Sequence, residues 1–299
     1  MVQTGLTQPG SEKKIACPGA ETRMSIELCI LASGSLGNCT VVRTPAGVML
    51  IDAGIGPRTT ARRMNGTGVA VRDVRAICLT HLDRDHFTPN WVRTILERQI
   101  RVFCHESRVG ELLGVSGGRL APCVSGFDSA FQPLDGLDVH PIALAHDREG
   151  SCGFVLEGFG CRAGYATDLG RVTTELVEHF INVDLLAIES NYDPRMQLDS
   201  GRPWFLKQRI MGGAGHLSNE QAFAAIRTIL DRSPRRPARI VLLHRSRECN
   251  CPTLVRKLFS RDARIADRLT LAEQFDRSEW LRPSPLRPLV GEQLVLGWG

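Results

Sequence analysis

Short apolar segments that stop beside a histidine or an acidic residue recur along this chain of 299 residues. One of them, residues 74–80 (VRAICLT), is typical of a buried β-strand because it is short, apolar and partly β-branched. Other segments are long enough for helices, and Ser218 with Gln221 three residues later forms a capping box at the start of one. This alternation predicts a layered α/β protein in which helices flank two packed sheets.

The predicted elements follow an irregular beginning. Residues 1–23 are rich in Gly, Thr, Pro, Gln and Lys, so we expect a disordered leader there. Residues 24–299 are expected to form a single domain, with Met24 as a candidate translation start. The predicted strands are Ser25–Ala32, Cys39–Arg43, Val48–Asp52, Val74–Thr80, Arg101–Cys104, Val139–Leu144, Gly153–Glu157, Arg162–Ala166, Asp184–Ile188, Arg239–Leu243 and Asp267–Ala272. The predicted helices are a short one after Pro57, then Thr88–Arg98, Ser107–Leu113, Thr174–Ile181, Ser218–Leu230 and Thr253–Phe259.

Composition indicates the cellular location of the protein more clearly than its activity. The sequence has no secretory signal and no apolar run of the about 18 residues that a membrane span needs. We therefore expect a cytoplasmic protein without membrane association, whose ten cysteines are mostly reduced. The net charge of +5 permits a polyanionic substrate without requiring one. Aromatic residues make up 6% and no aromatic and basic stretch stands out, so the sequence does not identify a nucleic-acid track.

The segment that follows residues 74–80 carries the strongest functional signal. Within six residues it contains four side chains of metal-binding type, His81, Asp83, Asp85 and His86. Imidazole nitrogen and carboxylate oxygen bind borderline divalent cations such as zinc at about 2.0–2.2 Å. Because the loop emerges from the core, where unpaired carboxylates are costly, we interpret the cluster as a metal site. A solvated turn is the alternative.

Three further residues of ligand type also stand where a predicted strand meets a loop. They are His146, Asp168 and His244. Any one of them alone would more often be a hydrogen-bonded core histidine or a turn aspartate. The repetition at several strand ends predicts that distant segments contribute to one site.

Together these motifs resemble the metallo-β-lactamase superfamily, whose members carry H-x-H-x-D-H after a strand, then a separate His, a bridging Asp and a late His. The chain is more closely similar to the WalJ/YycJ-type subgroup of nuclease-like hydrolases. That similarity rests on Leu31–Cys39 (LASGSLGNC), Ile51–Gly54 (IDAG), Ala166–Gly170 (ATDLG), Ile188–Asp193 (IESNYD), Leu206–Ile210 (LKQRI), Gly215–Glu220 (GHLSNE) and the segment that begins at His244 (HRSRECN). It covers residues 25 to about 272 and implies a four-layered αβ/βα sandwich.

The resemblance also implies how the ligands are divided between two divalent metal ions. One ion would have His81, Asp83 and His146, the other would have Asp85, His86 and His244, and Asp168 would bridge them. Asp83 departs from the family pattern, which has a histidine there. Zinc is the expected metal, but manganese, magnesium or iron become alternatives because a carboxylate hardens the site. Alternatively, Asp83 orients a histidine without binding metal.

The same resemblance suggests roles for further residues. Asp85 is expected to bind metal and orient the nucleophile. His216 is expected to protonate a leaving oxygen or hold a phosphate, with helix capping as the alternative. Ser33 and Asn38 are candidates for hydrogen bonds near the metals. The cations expected to face substrate phosphates, unless they are solvated surface, are Arg202, Lys207 and Arg209.

These features predict a metal-dependent hydrolase that acts on phosphodiester bonds in DNA, in RNA or in a small molecule. Two close divalent cations would supply a nucleophile by lowering the pKa of bound water toward about 7. An ester, lactone or thioester hydrolase on the same site is one alternative, and a metal-binding protein that has lost catalysis is another. A β-lactamase role is disfavoured because no export signal is visible. The sequence does not indicate the oligomeric state.

Overall fold

The first half of the chain builds a mixed six-stranded sheet. The computed structural model describes residues 25–283, so the predicted leader over residues 1–23 and Met24 lie outside the described residues. The strands lie in chain order, β1 to β3 antiparallel and β3 to β6 parallel. They are β1 (Glu27–Ala32), β2 (Cys39–Thr44), β3 (Gly47–Ile51), β4 (Val74–Cys78), β5 (Arg101–His105) and β6 (Val124–Phe127).

The second half builds a seven-stranded sheet whose strands also lie in chain order, from β7 at one edge to β13 at the other. The strands from β7 to β10 pair antiparallel, and those from β10 to β13 pair parallel. The members are β7 (Phe131–Leu134), β8 (Leu137–Leu144), β9 (Ser151–Gly158), β10 (Cys161–Ala166), β11 (Leu185–Glu189), β12 (Arg239–Leu243) and β13 (Leu269–Leu271).

Helices cover the outer faces of both sheets. One apolar core lies between the sheets, a second packs the first sheet against α1–α3, and a third packs the second sheet against α4, α7 and α8. This arrangement confirms the predicted αβ/βα sandwich. The helices among the described residues are α1 (Pro57–Met64), α2 (Val92–Arg98), α3 (Val109–Val115), α4 (Thr174–Phe180), α5 (Pro194–Asp199), α6 (Trp204–Met211), α7 (Asn219–Arg232), α8 (Pro252–Phe259) and α9 (Ala263–Ala266).

Several element predictions need correction. The helix expected over Thr88–Arg98 begins only at Val92, because Thr88 precedes Pro89 and is extended (φ −107°, ψ 132°). The capping box at Ser218 is confirmed, since its hydroxyl accepts from the Gln221 N–H and the Gln221 side chain accepts from the Ser218 N–H. Strands β6 and β7 and helices α5, α6 and α9 have no clear apolar periodicity and were not predicted.

The architecture brings the polar strand ends to one edge of the sandwich. Strands β3, β4, β10, β11 and β12 belong to the parallel parts of the two sheets, and each is followed by a loop that carries acidic residues or histidines. Ligands of α/β proteins commonly bind beyond such carboxyl ends of strands. Within residues 25–283, none of the helices has the length and apolar character required to traverse a lipid bilayer.

Candidate metal centre

A buried carboxylate after β3 holds the loop of residues 81–86 in place. Asp52 accepts hydrogen bonds from the Thr80 N–H (2.8 Å) and from His86 Nδ1 (2.8 Å). The Ala53 N–H donates to the His86 carbonyl at 2.7 Å, and a Cβ on Gly54 would lie only 1.7 Å from the Asp85 carbonyl oxygen. The glycine is therefore required by close backbone approach. These contacts turn His86 Nε2 toward the other ligand-type residues.

The other strand ends meet this loop. His146 Nδ1 lies 3.0 Å from the Gly215 carbonyl, and this contact orients its Nε2 toward the centre. His244, which follows β12, is buried, and its backbone N–H donates to Ser33 Oγ at 2.8 Å. Asp168 follows β10 in the left-handed region, at φ 52°. Residues that are distant in the sequence thus converge in space.

The ligand-type atoms form overlapping groups, and two of these groups match the division that the resemblance implied. The other groups join His81 with His86 and Asp168, and Asp168 with Glu189, His216 and His244. His81, Asp83 and His146 each present a ligand-type atom, all within 4.8 Å of one another. Within this first group, His81 Nε2 lies 3.8 Å from Asp83 Oδ2. Asp85, His86 and His244 form a second such group.

Asp168 stands between the groups. Its Oδ2 lies 3.0 Å from His86 Nε2, in the second group, and its Oδ1 lies 4.0 Å from His146 Nε2, in the first. Burial alone would raise the pKa of Asp168, but the nearby His244 and His86 outweigh it and hold that pKa well below its usual range. The carboxylate therefore remains charged between the two groups.

The residues present suit divalent cations. His244 Nε2 is buried and makes no hydrogen bond among the described residues, although Asp85 Oδ2 lies 3.5 Å away. Burial opposes protonation of His244, but Asp168 and the neighbouring Asp85 and Glu189 raise its pKa to about 10. The carboxylates thus favour positive charge at this point, which a metal ion supplies when it displaces the proton. Imidazole and carboxylate donors are those that zinc and the harder divalent metals bind.

Glu189, at the end of β11, was missed as a site residue. It is fully buried, and its Oε1 lies 2.8 Å from His216 Nδ1 and 3.3 Å from His244 Nδ1. Its Oε2 accepts from the Leu169 and Leu217 N–H groups at 3.2 and 3.1 Å. The signal that marks the other ligand-type residues, an apolar strand that stops at a polar residue, applies to Glu189 and equally to Asp52.

His216 is held beside this centre by Glu189. Burial lowers the tendency of His216 to bind a proton, but the Glu189 carboxylate overcomes this and raises its pKa. Its ring lies 5.1 Å from the His244 ring, nearly parallel to it, and Asp168 Oδ1 is 3.5 Å from its Nδ1. The His216 side chain is 20% exposed, so it can be reached from solvent.

Most of the candidate ligands line a cleft of about 480 Å³, which Arg202 and Arg209 also line. Arg202 donates two hydrogen bonds to Glu248, at 3.0 and 2.9 Å, and Arg209 pairs with both carboxylate oxygens of Asp147. Both arginines that were expected to contact phosphate thus line the cleft, but an acidic partner neutralises the charge of each.

Three further candidate residues do not line the cleft, and their polar atoms bond within the protein. Lys207 is buried on α6, and its ammonium group donates to the Leu198 carbonyl. The Ser33 hydroxyl accepts from the His244 backbone. The Asn38 side chain lies 2.9 Å from His86 Nε2 and accepts from the Gly34 N–H. Lys207 therefore does not face the cleft as expected, because α6 directs its ammonium group inward. The hydrogen bonds of Ser33 and Asn38 beside His244 and His86 agree with the bonds expected near the metals.

An αβ/βα sandwich with this set of imidazoles and carboxylates at one edge defines the metallo-β-lactamase class. The profile described as "Beta-lactamase superfamily domain" matches residues 48–244, and the chain belongs to that superfamily. The divalent metal ions of the class thus have candidate ligands in this chain.

The similarity to the WalJ/YycJ-type subgroup is also confirmed. The chain is 25% identical over 236 residues to the exodeoxyribonuclease YycJ of Bacillus anthracis, with 78% of this chain and 87% of the relative covered. It is 27% identical over 239 residues to the exodeoxyribonuclease WalJ of Streptococcus pneumoniae serotype 2 (strain D39 / NCTC 7466), with 78% and 86% covered. Zn²⁺-bound PqqB from Methylobacterium extorquens shares the fold at a TM-score of 0.62 and 17% identity, with 84% and 99% covered.

Proposed function

We propose that this protein is a metal-dependent phosphodiesterase that hydrolyses nucleic acid and holds two divalent ions, with zinc as the expected metal. The observation that supports this proposal most strongly is the position of Asp168 at the base of the cleft. Its two carboxylate oxygens face one histidine from each ligand group. The names of the relatives, both exodeoxyribonucleases, support a polynucleotide as the substrate. The zinc in PqqB supports the choice of metal.

In this proposal His81, Asp83 and His146 would hold one ion, Asp85, His86 and His244 would hold the other, and Asp168 lies where it could serve both. When bound, such ions lower the pKa of water and polarise the phosphoryl oxygen. Asp85 also orients the attacking water. Asp52 and the Gly215 carbonyl fix two of the histidine rings so that they need not reorganise during the reaction.

The remaining residues of the cleft handle the substrate. Arg202 and Arg209 exchange their acidic partners, Glu248 and Asp147, for phosphate oxygens when the substrate enters. His216 keeps the proton on Nδ1 directed at Glu189 and presents Nε2 to the cleft. From there it donates a proton to the leaving oxygen.

A substrate panel tests the proposed function. We expect the purified protein to contain close to two divalent ions per chain and to hydrolyse bis-p-nitrophenyl phosphate and 5′-labelled DNA. Activity should disappear with chelation and return when metal is restored. p-Nitrophenyl acetate and a thioester serve as the comparison, since the same metals polarise carbonyl groups. Hydrolysis of the esters without the diesters would replace the proposal by an esterase. Bound metal without hydrolysis of either would indicate a binding protein.

The substitution Asp83→His tests whether Asp83 binds metal. It restores the histidine of the family pattern, so we expect roughly tenfold better retention of zinc against a chelator, because imidazole suits zinc better than a carboxylate does. Zinc content after dialysis at several chelator concentrations is the measurement. Asp83→Asn is the matched control, because it removes the charge without adding an imidazole. Equal zinc retention in wild type and Asp83→His would place Asp83 outside the coordination sphere.

A further inference from the structure

Three aromatic side chains in residues 25–283 are largely exposed: Trp204 (62%), Phe205 (71%) and Phe275 (55%). We call these three residues the aromatic rim. Single apolar residues scattered over a surface need no explanation. The aromatic rim differs because its members lie on segments that line the cleft or a pocket adjoining it, or contact such a segment.

Trp204 and Phe205 occupy the first turn of α6. Residues four apart lie side by side on a helix, so Trp204 neighbours Gln208 and Phe205 neighbours Arg209. Arg209 lines the cleft, and Gln208 lines an adjoining pocket that shares Asp83 and Asp147 with it. Phe205 therefore continues the wall of the cleft, and Trp204 the wall of the adjoining pocket, by about one helical turn, or about 6 Å.

Phe275 contacts a segment that lines the cleft. The Arg247 guanidinium stacks over its ring at 4.9 Å, and Arg247 stands between Ser246 and Glu248, which both line the cleft. Glu248 is the partner of Arg202, two residues before Trp204. The Arg202–Glu248 ion pair thus joins the segment that carries Trp204 to the segment packed on Phe275.

Buried contacts hold this part of the rim in place. Gln274, which precedes Phe275 and is 6% exposed, accepts from the Leu36 N–H and donates to the Gly37 carbonyl, each at 2.9 Å. Those residues belong to the loop whose Ser35 lines the cleft. The aromatic rim is therefore built on supported segments at the entrance.

From this placement we propose that the aromatic rim is a base-stacking platform for single-stranded DNA that leads into the metal centre. Aromatic rings interleaved with arginines are the combination that binds single strands, because rings stack on bases while cations contact phosphates. The paired bases of a duplex are already stacked on one another and are not available to the rim. The occupant is therefore an unpaired strand. The inference rests on the proposed phosphodiesterase function for its chemistry, but binding can be measured without turnover.

The test compares wild type with the double variant Trp204→Ala, Phe205→Ala, both in EDTA. Binding of fluorescent (dT)10 is measured beside an abasic strand of the same length, which keeps the phosphates but lacks the bases. We expect the affinity for (dT)10 to fall about tenfold for each aromatic side chain removed, and the affinity for the abasic strand to stay unchanged. Leu254→Ala, an exposed apolar residue on α8, is the matched control.

Two further measurements separate the outcomes. With metal, the double variant should keep the wild-type kcat/KM for bis-p-nitrophenyl phosphate while its KM for labelled single-stranded DNA rises. Trp204→Phe should retain most of the DNA affinity. If the wild-type protein hydrolysed no diester, the proposed function would be wrong. The platform would still be tested separately, because the binding comparison in EDTA does not depend on hydrolysis.

Several results would overturn the platform. They are wild-type protein that does not bind (dT)10, equal binding by wild type and the double variant, and equal weakening for the normal and abasic strands. A change of oligomeric state in the double variant without DNA would identify the rim as a contact between copies of this chain instead.

Discussion

The variant Asp168→Asn is expected to lose at least about a thousandfold in kcat on bis-p-nitrophenyl phosphate, which corresponds to several kcal/mol of lost transition-state stabilisation. The reason is geometric and electrostatic. Asp168 is the carboxylate that faces a histidine from each ligand group, and an amide there is neutral and turns either a weaker ligand or an N–H donor toward the ions. The bound metal should fall from about two ions per chain toward one or fewer.

The choice of asparagine keeps this experiment interpretable. Asp168 has a positive φ of 52°, which asparagine adopts more readily than alanine. Because Asp52 still pairs with His86 at 2.8 Å, we expect the fold to persist, with a cooperative thermal transition in chelator. Asp135→Asn, in the exposed turn between β7 and β8, is the matched control. Wild-type metal content and rate in Asp168→Asn would remove the central argument for the site.

The variant His216→Ala is also expected to lose much of its activity, and the size of the loss should depend on the leaving group. General acid catalysis contributes about 10²–10⁴-fold where the departing oxygen needs a proton. A nucleotide alkoxide is such a group, whereas p-nitrophenolate leaves without help. We therefore expect a loss of about 10²–10⁴-fold on DNA and less than about tenfold on bis-p-nitrophenyl phosphate, at unchanged metal content.

Two further variants test the role of His216. His179→Ala on α4 removes a histidine outside the centre and should change neither rate. Glu189→Gln leaves His216 in place but weakens the contact that raises its pKa, so it should reproduce part of the same leaving-group dependence. Equal losses on both substrates, or loss of a metal ion from His216→Ala, would show that His216 serves as a ligand or a support.

The parts of the fold that were predictable share one property. Strands β1, β4 and β12 lie with most of their residues in the core, so their apolar runs report burial directly. Strand β6 lies at the edge of its sheet, and only Phe127 among its four residues is buried. Helix α6 has apolar residues on several sides, because two of its aromatic rings face solvent while Ile210 is buried. Neither element carries a periodic signal.

The candidate ligands were predictable for a related reason. A histidine or aspartate within three residues of the end of a strand is conspicuous in the sequence, and His81, His146, Asp168 and His244 all have this position. Glu189 also stands at the end of an apolar strand, but it was not predicted as a site residue. The hydrogen-bonding roles of Ser33 and Asn38 were not readable, because both bond to segments remote in the sequence.

By itself the sequence determined which residue types are available for metal binding, the layered α/β class and the departure at Asp83. Only the tertiary structure decided which side chains meet. It placed Asp168 between two histidine groups, directed the Lys207 side chain into the protein and left Trp204 and Phe205 exposed on α6. The physical reason is that strand character is a local property of the chain, whereas the direction of a side chain depends on which distant segment packs beside it.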